Sequence, residues 1–333
     1  MRALQRLRRD IGFISMMLVV GFVTGSTFVT VSGSSLSFLT GGIAGFSIAT
    51  ILAMLDLLVF PLLSRWPFGA LLLVRSVAYA GVALTIVFLS FFLTGSAPSF
   101  ASNPVRLLAT ILITLTICYV ANFLLAIRRV LGKHVLWWLL IGRYRRPIEE
   151  NRMFMFIDLA SSTALAEKIG HVMYHQLIHK FQCDIAEVIL DSGGDIYKYV
   201  GDEVIVTWLL SDAQPDNRWV ECFFRIREAI HEKHDQYRRM FGIVPQFRVS
   251  LHCGMVVAGE MGDWKREVGF IGDTVNTAAR ILDACKSNNR DFIVSDEVMR
   301  RIANIEKYVV EPVPEAALRG KSGRVTLFSV EDH

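Results

Sequence analysis

Hydrophobic positions divide this chain into two parts of different character. Up to about Ile127 the sequence consists of long apolar stretches, whereas after Pro147 apolar residues are interspersed with dense charges. Four stretches in the first part are long enough to cross a bilayer, which takes about 20 residues per helix. They are Ile11–Val31, Leu36–Leu63, Phe68–Leu93 and Val105–Ile127. The pattern predicts a multi-pass α-helical membrane domain over residues 1–127.

Basic residues predict the orientation of these spans. They lie before the first span, between the second and third, and after the fourth, at Arg2, Arg6, Arg8, Arg9, Arg65, Arg128, Arg129 and Lys133. The connections Ser32–Ser35 and Thr94–Asn103 carry no charge. Because basic residues favour the cytoplasmic side, we expect both termini in the cytoplasm and the chain in the inner (plasma) membrane. The number of following spans argues against a cleaved signal peptide.

Two ionisable residues, Asp56 and Arg75, interrupt the second and third spans. On adjacent antiparallel helices they would lie at a similar depth, roughly 10–12 Å into the membrane at 1.5 Å per residue. Because isolated charges at that depth are costly, we expect an ion pair between them. The alternative is that each side chain extends separately to the cytoplasmic face.

Residues 128–150 form a basic, aromatic linker, which includes the pair Trp137-Trp138 and several arginines. This composition predicts an interfacial helix at the cytoplasmic membrane surface. The segment joins the two parts, so any signal between them must pass through it.

Charge and cysteine content indicate the kind of partner and the redox environment of the chain. The net charge of +4 is modest and the basic residues cluster beside apolar segments, which favours a lipid bilayer over nucleic acid as the partner. The five cysteines form no C-x-x-C pair, and we interpret them as reduced thiols in a cytosolic setting.

Two aspartates are the first candidate functional residues in the sequence. Asp158 ends the apolar run Met153–Ile157, which predicts a buried strand, and Asp202 lies at the tip of a predicted hairpin. If these strands are neighbours, both carboxylates converge and require a proton or a divalent cation between them. Such oxygen ligands suit Mg²⁺ or Mn²⁺ beside substrate phosphates. The alternative is that Asp158 caps a helix and Asp202 fills a turn.

The rest of the second part predicts an α+β fold, with helices packed on a mostly antiparallel sheet. The predicted order is a strand, a helical region Ser162–Asp191, a hairpin, a helix Pro215–Phe241, a hairpin Gln246–Met261, a strand, a helix Thr274–Lys286 and shorter strands. Hydroxyls at Ser161–Thr163 are available to cap the helix that follows Asp158. The N-terminus of that helix would favour phosphate oxygens.

A third cluster follows Gly272-Asp273. Asn276 and Arg280 are four residues apart and therefore share one helical face. An amide and a guanidinium on one face suit a ribose and a polyphosphate. The alternative is a solvated face on which Arg280 binds a local carboxylate, Asp283 or Glu267.

Together these stretches resemble the signature motifs of class III nucleotide cyclases, in order and in spacing. They are Phe156-Ile157-Asp158-Leu159 with Ser161-Ser162-Thr163, Lys198-Tyr199-Val200-Gly201-Asp202-Glu203, and Ile271-Gly272-Asp273-Thr274-Val275-Asn276-Thr277-Ala278-Ala279-Arg280. The resemblance implies a palm-like (ferredoxin-like) catalytic domain over residues 151–333, working as a head-to-tail homodimer. It implies a membrane-anchored adenylate cyclase of bacterial type, which converts ATP to 3′,5′-cyclic AMP and pyrophosphate.

The resemblance also implies roles for single residues. Asp158 with the adjoining Leu159, and Asp202, would hold two Mg²⁺ or Mn²⁺ ions per site. Lys198 would read adenine, while Asn276 and Arg280 would act from the opposite protomer on the ribose and the α-phosphate. The resemblance implies further phosphate contacts, for which the alignment with the family is weaker. The residues at these positions are Arg266 or Lys265, and Arg319 or Lys321.

Gly269 departs from the family pattern. The family's second purine-selecting position usually carries Asp, Thr or Ser, and glycine offers no acceptor to the adenine amine. A lost contact of this kind costs about 0.5–1.5 kcal/mol. Gly269 therefore favours one alternative, a catalytically silent cyclase-like module that dimerises. A diguanylate cyclase is a second alternative, suggested by Gly193-Gly194-Asp195, although Ile196-Tyr197 does not complete that family's loop.

Overall fold

The structure is a computed structural model of the 333-residue chain. It describes residues 15, 18–27, 38–59, 66–93, 104–131, 138, 141–210, 217–264, 266–313 and 325–332. The chain divides into two compact units, Met1–Leu131 and Gly132–His333.

The described residues of the first unit are helical apart from Trp66 and Pro67. Helices α1 (Leu18–Thr27), α2 (Phe38–Met54), α3 (Phe68–Leu93) and α4 (Pro104–Leu131) follow in order, and α2 continues into a π-helical turn at Leu55–Val59. Among the described residues one helix, Phe68–Leu89 within α3, is both long and apolar enough to cross a membrane. The other three contain shorter apolar runs, and both ends of the first predicted span lie outside the described residues.

The predicted ion pair within the first unit is confirmed. Arg75 Nη1 lies 3.6 Å from Asp56 Oδ1, and the Arg75 side chain is only 7% exposed. Asp56 lies in the π-helical turn after α2, and Arg75 lies in α3. Pairing satisfies both charges in apolar surroundings, which explains why neither side chain extends separately to solvent.

The second unit is an α+β domain, as the sequence predicts. Its described strands are β1 (Ile148–Leu159), β2 (Asp195–Val200), β3 (Glu203–Leu209), β4 (Phe247–Met261), β5 (Glu267–Ile271), β6 (Phe292–Ser295), β7 (Tyr308–Val313) and β8 (Leu327–Asp332). They form one sheet in the order β2-β3-β1-β4-β6-β8-β7, with β5 paired to β4. Among the described strands, β4 and β6 pair in parallel and the other pairings are antiparallel.

Helices of the second unit accompany this sheet. They are α5 (Ser162–Ile169), α6 (His171–Asp191), α7 (Arg218–Glu232), α8 (His234–Phe241), α9 (Asp273–Ser287) and α10 (Asp296–Met299), with a 3₁₀ turn at Ile305–Lys307. The predicted long helices are each divided. Gly170, with φ +82°, separates α5 from α6, and Lys233 separates α7 from α8.

Strand β1 lies between β3 and β4 in the sheet, and helices bury both of its faces. Met153, Met155 and Ile157 face a core shared with α6, α7 and α8, whereas Phe154 and Phe156 face a core shared with α9. Side chains alternate along a strand, so Asp158 belongs to the face that carries α9.

The predicted hairpin over Gln246–Met261 is wrong, because this segment is a single long strand, β4. It pairs with β1 from Leu159↔Phe247 to Ile148↔Ala258. Gly254 lies within the strand for a packing reason. A Cβ at this position would lie 2.7 Å from Thr274 Oγ1, so the glycine allows α9 to approach the sheet closely.

The end of the linker is part of the core of the second unit. Tyr144 is 1% exposed and lies edge-on to Trp138, with ring centroids 5.1 Å apart. Arg152 Nε donates to Glu150 Oε2 at 2.7 Å, and Arg152 Nη2 donates to Tyr144 Oη at 3.0 Å. The Arg152 guanidinium also lies 4.4 Å from the centre of the Phe270 ring. Tyr144 therefore packs on protein, although the linker's composition predicts a segment on the membrane surface.

We expect Glu150→Gln to lower the free energy of unfolding of the second unit by about 3–5 kcal/mol, because it leaves the buried Arg152 without its carboxylate. Chemical unfolding of the detergent-solubilised protein, followed by tryptophan fluorescence, measures this change. Glu149→Gln is the matched control because Glu149 is exposed. Equal stability of the two variants would contradict the structural role of this ion pair.

Candidate functional site

The structure brings Asp158 and Asp202 to the same edge of the sheet. Strands β1 and β3 are antiparallel neighbours, with Ile157 opposite Val204. Asp158 therefore follows the last residue of β1 that pairs with β3, and Asp202 lies just before β3 in the turn that joins β2 to β3. The convergence expected from the sequence depended on this adjacency, which is now observed.

Negative charge is concentrated at this edge. Glu203 is half-buried there, and burial followed by the charges of Asp158 and Asp202 raises the pKa of its carboxyl. Tyr174 Oη donates to Asp202 Oδ2 at 3.3 Å. Burial, together with the charge of Asp202, raises the pKa of Tyr174 to about 12. Three neighbouring carboxylates favour a bound cation, since neighbouring like charges repel one another.

A lysine ammonium contacts the first of these carboxylates. Lys286 Nζ, in the last turn of α9, lies 2.8 Å from Asp158 Oδ2. Asp158 does not cap α5, whose N-cap residue is Ser161 and has no side-chain capping hydrogen bond. The helix-capping alternative is therefore wrong for Asp158, and the hydroxyl cap expected at Ser161 is absent from this helix end.

The carboxylate edge has the donor chemistry for a hard divalent cation. Within the described residues, no group of three or more His, Cys, Asp and Glu side chains is arranged to hold a metal alone. Leu159 can contribute only its backbone carbonyl, because its side chain is apolar and buried. The residues therefore fit Mg²⁺ or Mn²⁺ held jointly by a few protein oxygens and substrate phosphates, which is the usual arrangement for Mg²⁺.

Asn276 and Arg280 lie on α9, which begins at Asp273 after β5. Asn276 is exposed and Arg280 is half-buried. Arg280 Nη1 is buried and has no hydrogen-bond partner among the described residues. A buried guanidinium nitrogen usually has an acceptor, so this position is suited to an anion that binds from outside the chain. The suggested carboxylate partners bind lysines instead: Glu267 contacts Lys198, and Asp283 lies near Lys286.

Lys198 and Gly269 lie near each other on β2 and β5. Lys198 Nζ donates to Glu267 Oε1 at 2.9 Å, and this bond is the main cause that raises the pKa of the lysine. Gly269 lies two residues after Glu267 and so on the same face of β5. Its φ is outside the left-handed region, but a Cβ built there would lie 2.1 Å from Met261 Sδ. The Met261 side chain therefore occupies the space that a larger residue 269 would fill.

The predicted phosphate contacts are only partly described. Arg266 is exposed and immediately precedes β5, which agrees with a residue available to a ligand. Lys265, Arg319 and Lys321 lie outside the described residues.

Comparison with known families places residues 146–332 in the adenylate and guanylate cyclase catalytic domain, a match to more than half of the chain. The chain belongs to this cyclase family. The prediction of a class III nucleotide-cyclase catalytic domain is therefore confirmed.

Similar proteins support the assignment. Adenylate cyclase 2 of Rhizobium meliloti (strain 1021) is 36% identical over 208 residues, which is 62% of this chain and 57% of that protein. The adenylate cyclase of Anabaena cylindrica is 23% identical over 183 residues, 53% of this chain and 36% of that protein. This chain thus spans little more than half the length of the first relative and about a third of the second.

A solved structure of a bacterial light-regulated adenylyl cyclase resembles the fold, with a TM-score of 0.54 and 16% identity over 66% of this chain and 65% of that one. At this identity the likeness concerns the fold alone. It agrees with the α+β architecture of the cyclase domain.

The Gly193-Gly194-Asp195 stretch has a structural explanation in the cyclase domain. Gly193 has φ +73°, which favours glycine, and a Cβ on Gly194 would lie 2.8 Å from Trp208 Cζ2. These glycines shape the turn between α6 and β2. The partial diguanylate-cyclase motif therefore needs no catalytic explanation.

Sequence reasoning missed four residues that shape the site: Tyr174, Glu203, Met261 and Lys286. Glu203 adjoins Asp202, and this adjacency is a signal that could have been used. The other three are brought to the site by tertiary packing of α6, β4 and α9, and no spacing in the sequence relates them to Asp202, Gly269 or Asp158.

Proposed function

We propose that this chain is a membrane-bound adenylate cyclase, which converts ATP to 3′,5′-cyclic AMP and pyrophosphate at the interface of a homodimer. The observation that carries the proposal is the convergence of Asp158 and Asp202 at one edge of a cyclase-family sheet. The 36% identity to an adenylate cyclase supports the choice of reaction.

The reaction is an exchange of one phosphorus–oxygen bond for another. The ribose 3′-oxygen attacks the α-phosphorus, its proton is released, and the bond to the pyrophosphate leaving group breaks. Two divalent cations, when bound, lower the pKa of the 3′-hydroxyl and neutralise charge on the phosphoryl oxygens. Asp158, Asp202 and the Leu159 carbonyl are the residues that would hold them.

Arg280 and Asn276 contribute without changing their protonation. The unpartnered Nη1 of Arg280 would donate a hydrogen bond to the negative charge that develops at the α-phosphate, where a preorganised donor is most effective. Asn276 would orient the ribose, so that the 3′-oxygen lies in line with the leaving group. Arg266, Arg319 and Lys321 are proposed to bind the polyphosphate.

We propose that Arg280 serves the site of a second protomer. Within its own chain, Lys286 rather than Arg280 contacts Asp158. Arg280 precedes Lys286 by six residues, which corresponds to about 9 Å along α9. Paired residues Val257 and Ile271, at 37% and 60% exposure, add an apolar surface on the β4–β5 face. Such a surface supports burial between protomers.

For the first unit we propose four membrane spans over residues 1–127, with both termini and the cyclase domain in the cytoplasm. The helical structure of its described residues supports this, as do exposed apolar side chains on α3 and α4 such as Leu73, Phe92 and Ile117. The residues 128–150 would link the spans to the cyclase domain at residues 151–333.

The alternative is a catalytically silent cyclase module that dimerises and relays a signal from the membrane. The observation in its favour is that Met261 fills the space at Gly269, so the usual acceptor for the adenine amine is missing. Cyclic nucleotide formation by the purified full-length protein with Mn²⁺, from ATP and from GTP, separates the two. Absence of any turnover by a folded dimer would favour the silent module.

We expect ATP to be preferred over GTP through Lys198. Its ammonium can donate to the N1 acceptor of adenine, whereas N1 of guanine carries a hydrogen and would oppose it. Steady-state turnover of both nucleotides measures the preference, and Lys198→Ala should reduce it. Equal or faster turnover of GTP by the wild type would show that Lys198 does not read the base.

We expect the double variant Gly269→Thr with Met261→Ala to sharpen the ATP preference by about two- to tenfold, because it restores an acceptor for the adenine amine. The backbone at Gly269 permits a Cβ, but Met261 Sδ must be removed to make room. Met261→Ala alone is the control, since it opens the space without adding an acceptor. An unchanged ATP-to-GTP ratio in the double variant would contradict this assignment of position 269.

A further inference from the structure

We propose that Lys286 is a resident counter-cation of the carboxylate edge: it neutralises Asp158 in the cation-free enzyme and must leave that carboxylate when a divalent cation binds. This inference rests on the proposed function, because it takes Asp158 as a metal ligand. It assigns Lys286 a positioning role that the motifs of the family did not suggest from the sequence.

The geometry places the ammonium where a cation would bind. Lys286 Nζ lies 2.8 Å from Asp158 Oδ2, which is a charge-assisted hydrogen bond to an oxygen proposed to ligate metal. The Asp158 side chain is 12% exposed, so few directions of approach remain open to it. An ammonium and a divalent cation on the same oxygen would also repel each other.

Lys286 is placed to leave this contact easily. Its side chain is 46% exposed, although Asp158 itself is buried. Asp283, one turn earlier on α9 and 79% exposed, has its Oδ1 3.9 Å from the same ammonium. The released lysine therefore has solvent and a second carboxylate within reach, and its displacement leaves no buried unpaired charge.

The surrounding charge explains why a lysine is useful here. Asp158, Asp202 and Glu203 are neighbouring carboxylates. Without Lys286, their negative charge would be uncompensated in the cation-free state. Lys286 offsets part of the repulsion and holds Asp158 in position. The consequence is a competition: the same contact that orders the empty site weakens its affinity for a divalent cation.

A titration of the nucleotide-free, full-length protein in detergent with Mn²⁺ tests this competition. Electron paramagnetic resonance reports free Mn²⁺ directly, so the readout does not depend on catalysis. We expect Lys286→Gln to bind Mn²⁺ roughly five- to tenfold more tightly than the wild type, since one competing positive charge is removed. Lys286→Arg should bind like the wild type because it keeps the charge.

Lys168→Gln is the matched control, because Lys168 is an exposed lysine of α5 and the substitution changes the net charge equally. An affinity of Lys286→Gln equal to that of Lys168→Gln, or weaker than the wild type, would overturn the role of Lys286. Loss of Mn²⁺ binding in Asp202→Ala shows that the titration reports this site. Failure of every chain, including the wild type, to bind Mn²⁺ would instead overturn the proposed metal site and the inference with it.

Discussion

Asp158→Ala and Asp202→Ala are each expected to lower Mn²⁺-dependent cyclic AMP formation by roughly a thousandfold or more, since several kcal/mol of transition-state stabilisation are lost with a metal ligand. Neither substitution should unfold the cyclase domain. Asp202 precedes β3 in a turn, and Asp158 contributes no apolar side chain to either core. Removal of one carboxylate also relieves repulsion at an edge where the pKa of Glu203 is already raised. Cyclic AMP assays with purified protein measure the loss.

Asp235→Ala is the control for this experiment. Asp235 is a carboxylate at 91% exposure in the first turn of α8, away from the sheet edge. Its replacement should leave activity within a factor of about two, as for most exposed positions. Near-wild-type activity in a folded Asp158→Ala or Asp202→Ala variant would refute the two-metal assignment.

The parts of the fold that were predicted correctly depend on local patterns. The apolar run Met153–Ile157 predicts a buried strand, and β1 is an interior strand of the sheet that is buried on both faces. The hairpin around Gly201-Asp202 and the helix over Thr274–Lys286 were also found close to their predicted bounds, as β2–β3 and α9. Each of these elements has its own hydrophobic period and turn residues, so tertiary contacts were not needed to identify it.

The predicted hairpin over Gln246–Met261 was wrong, and the burial of Tyr144 was not predicted, because at each place a residue makes a tertiary contact. Gly254 lies inside the segment that was predicted as a hairpin, yet it is needed because Thr274 approaches the strand at that point. Tyr144 lies in a segment whose composition predicts a membrane surface, yet its hydroxyl hydrogen-bonds to Glu150 and Arg152 inside the domain. A sequence pattern gives no information about which distant element will cover a given residue.

The site was predictable to the extent that its residues lie in compact motifs. Asp158, Asp202 and Lys198 are each identified by a strand end or a hairpin, and adjacency of β1 and β3 follows from the fold family. Met261 and Lys286 act across elements that are paired only in three dimensions: Met261 lies opposite Glu267 in the sheet, and Lys286 reaches Asp158 from α9. Such contacts require the structure.

The second prediction with a large expected effect is that two inactive variants restore cyclase activity when they form a mixed dimer. Asp202→Ala and Arg280→Ala should each be nearly inactive alone, with Arg280→Ala reduced by about a hundred- to a thousandfold as for the loss of a donor to developing charge. Co-expressed with different affinity tags, they should recover to about a quarter of wild-type activity. Half of the randomly formed dimers are mixed, and each mixed two-fold dimer contains one intact site of two. Cyclic AMP formation by the unselected co-expressed mixture measures the recovery, and selection of mixed dimers through both tags should raise it to about half.

The pair Asp158→Ala and Asp202→Ala gives the decisive comparison. Both residues lie at the same edge of the same chain, so in a mixed dimer each of the two sites has lost one aspartate and no activity should return. A site made within a single chain would give no recovery in either mixture. Recovery by Asp202→Ala with Arg280→Ala, and none by the two aspartate variants, therefore requires that Arg280 acts on the carboxylate edge of its partner, consistent with Lys286 contacting Asp158 in its own chain.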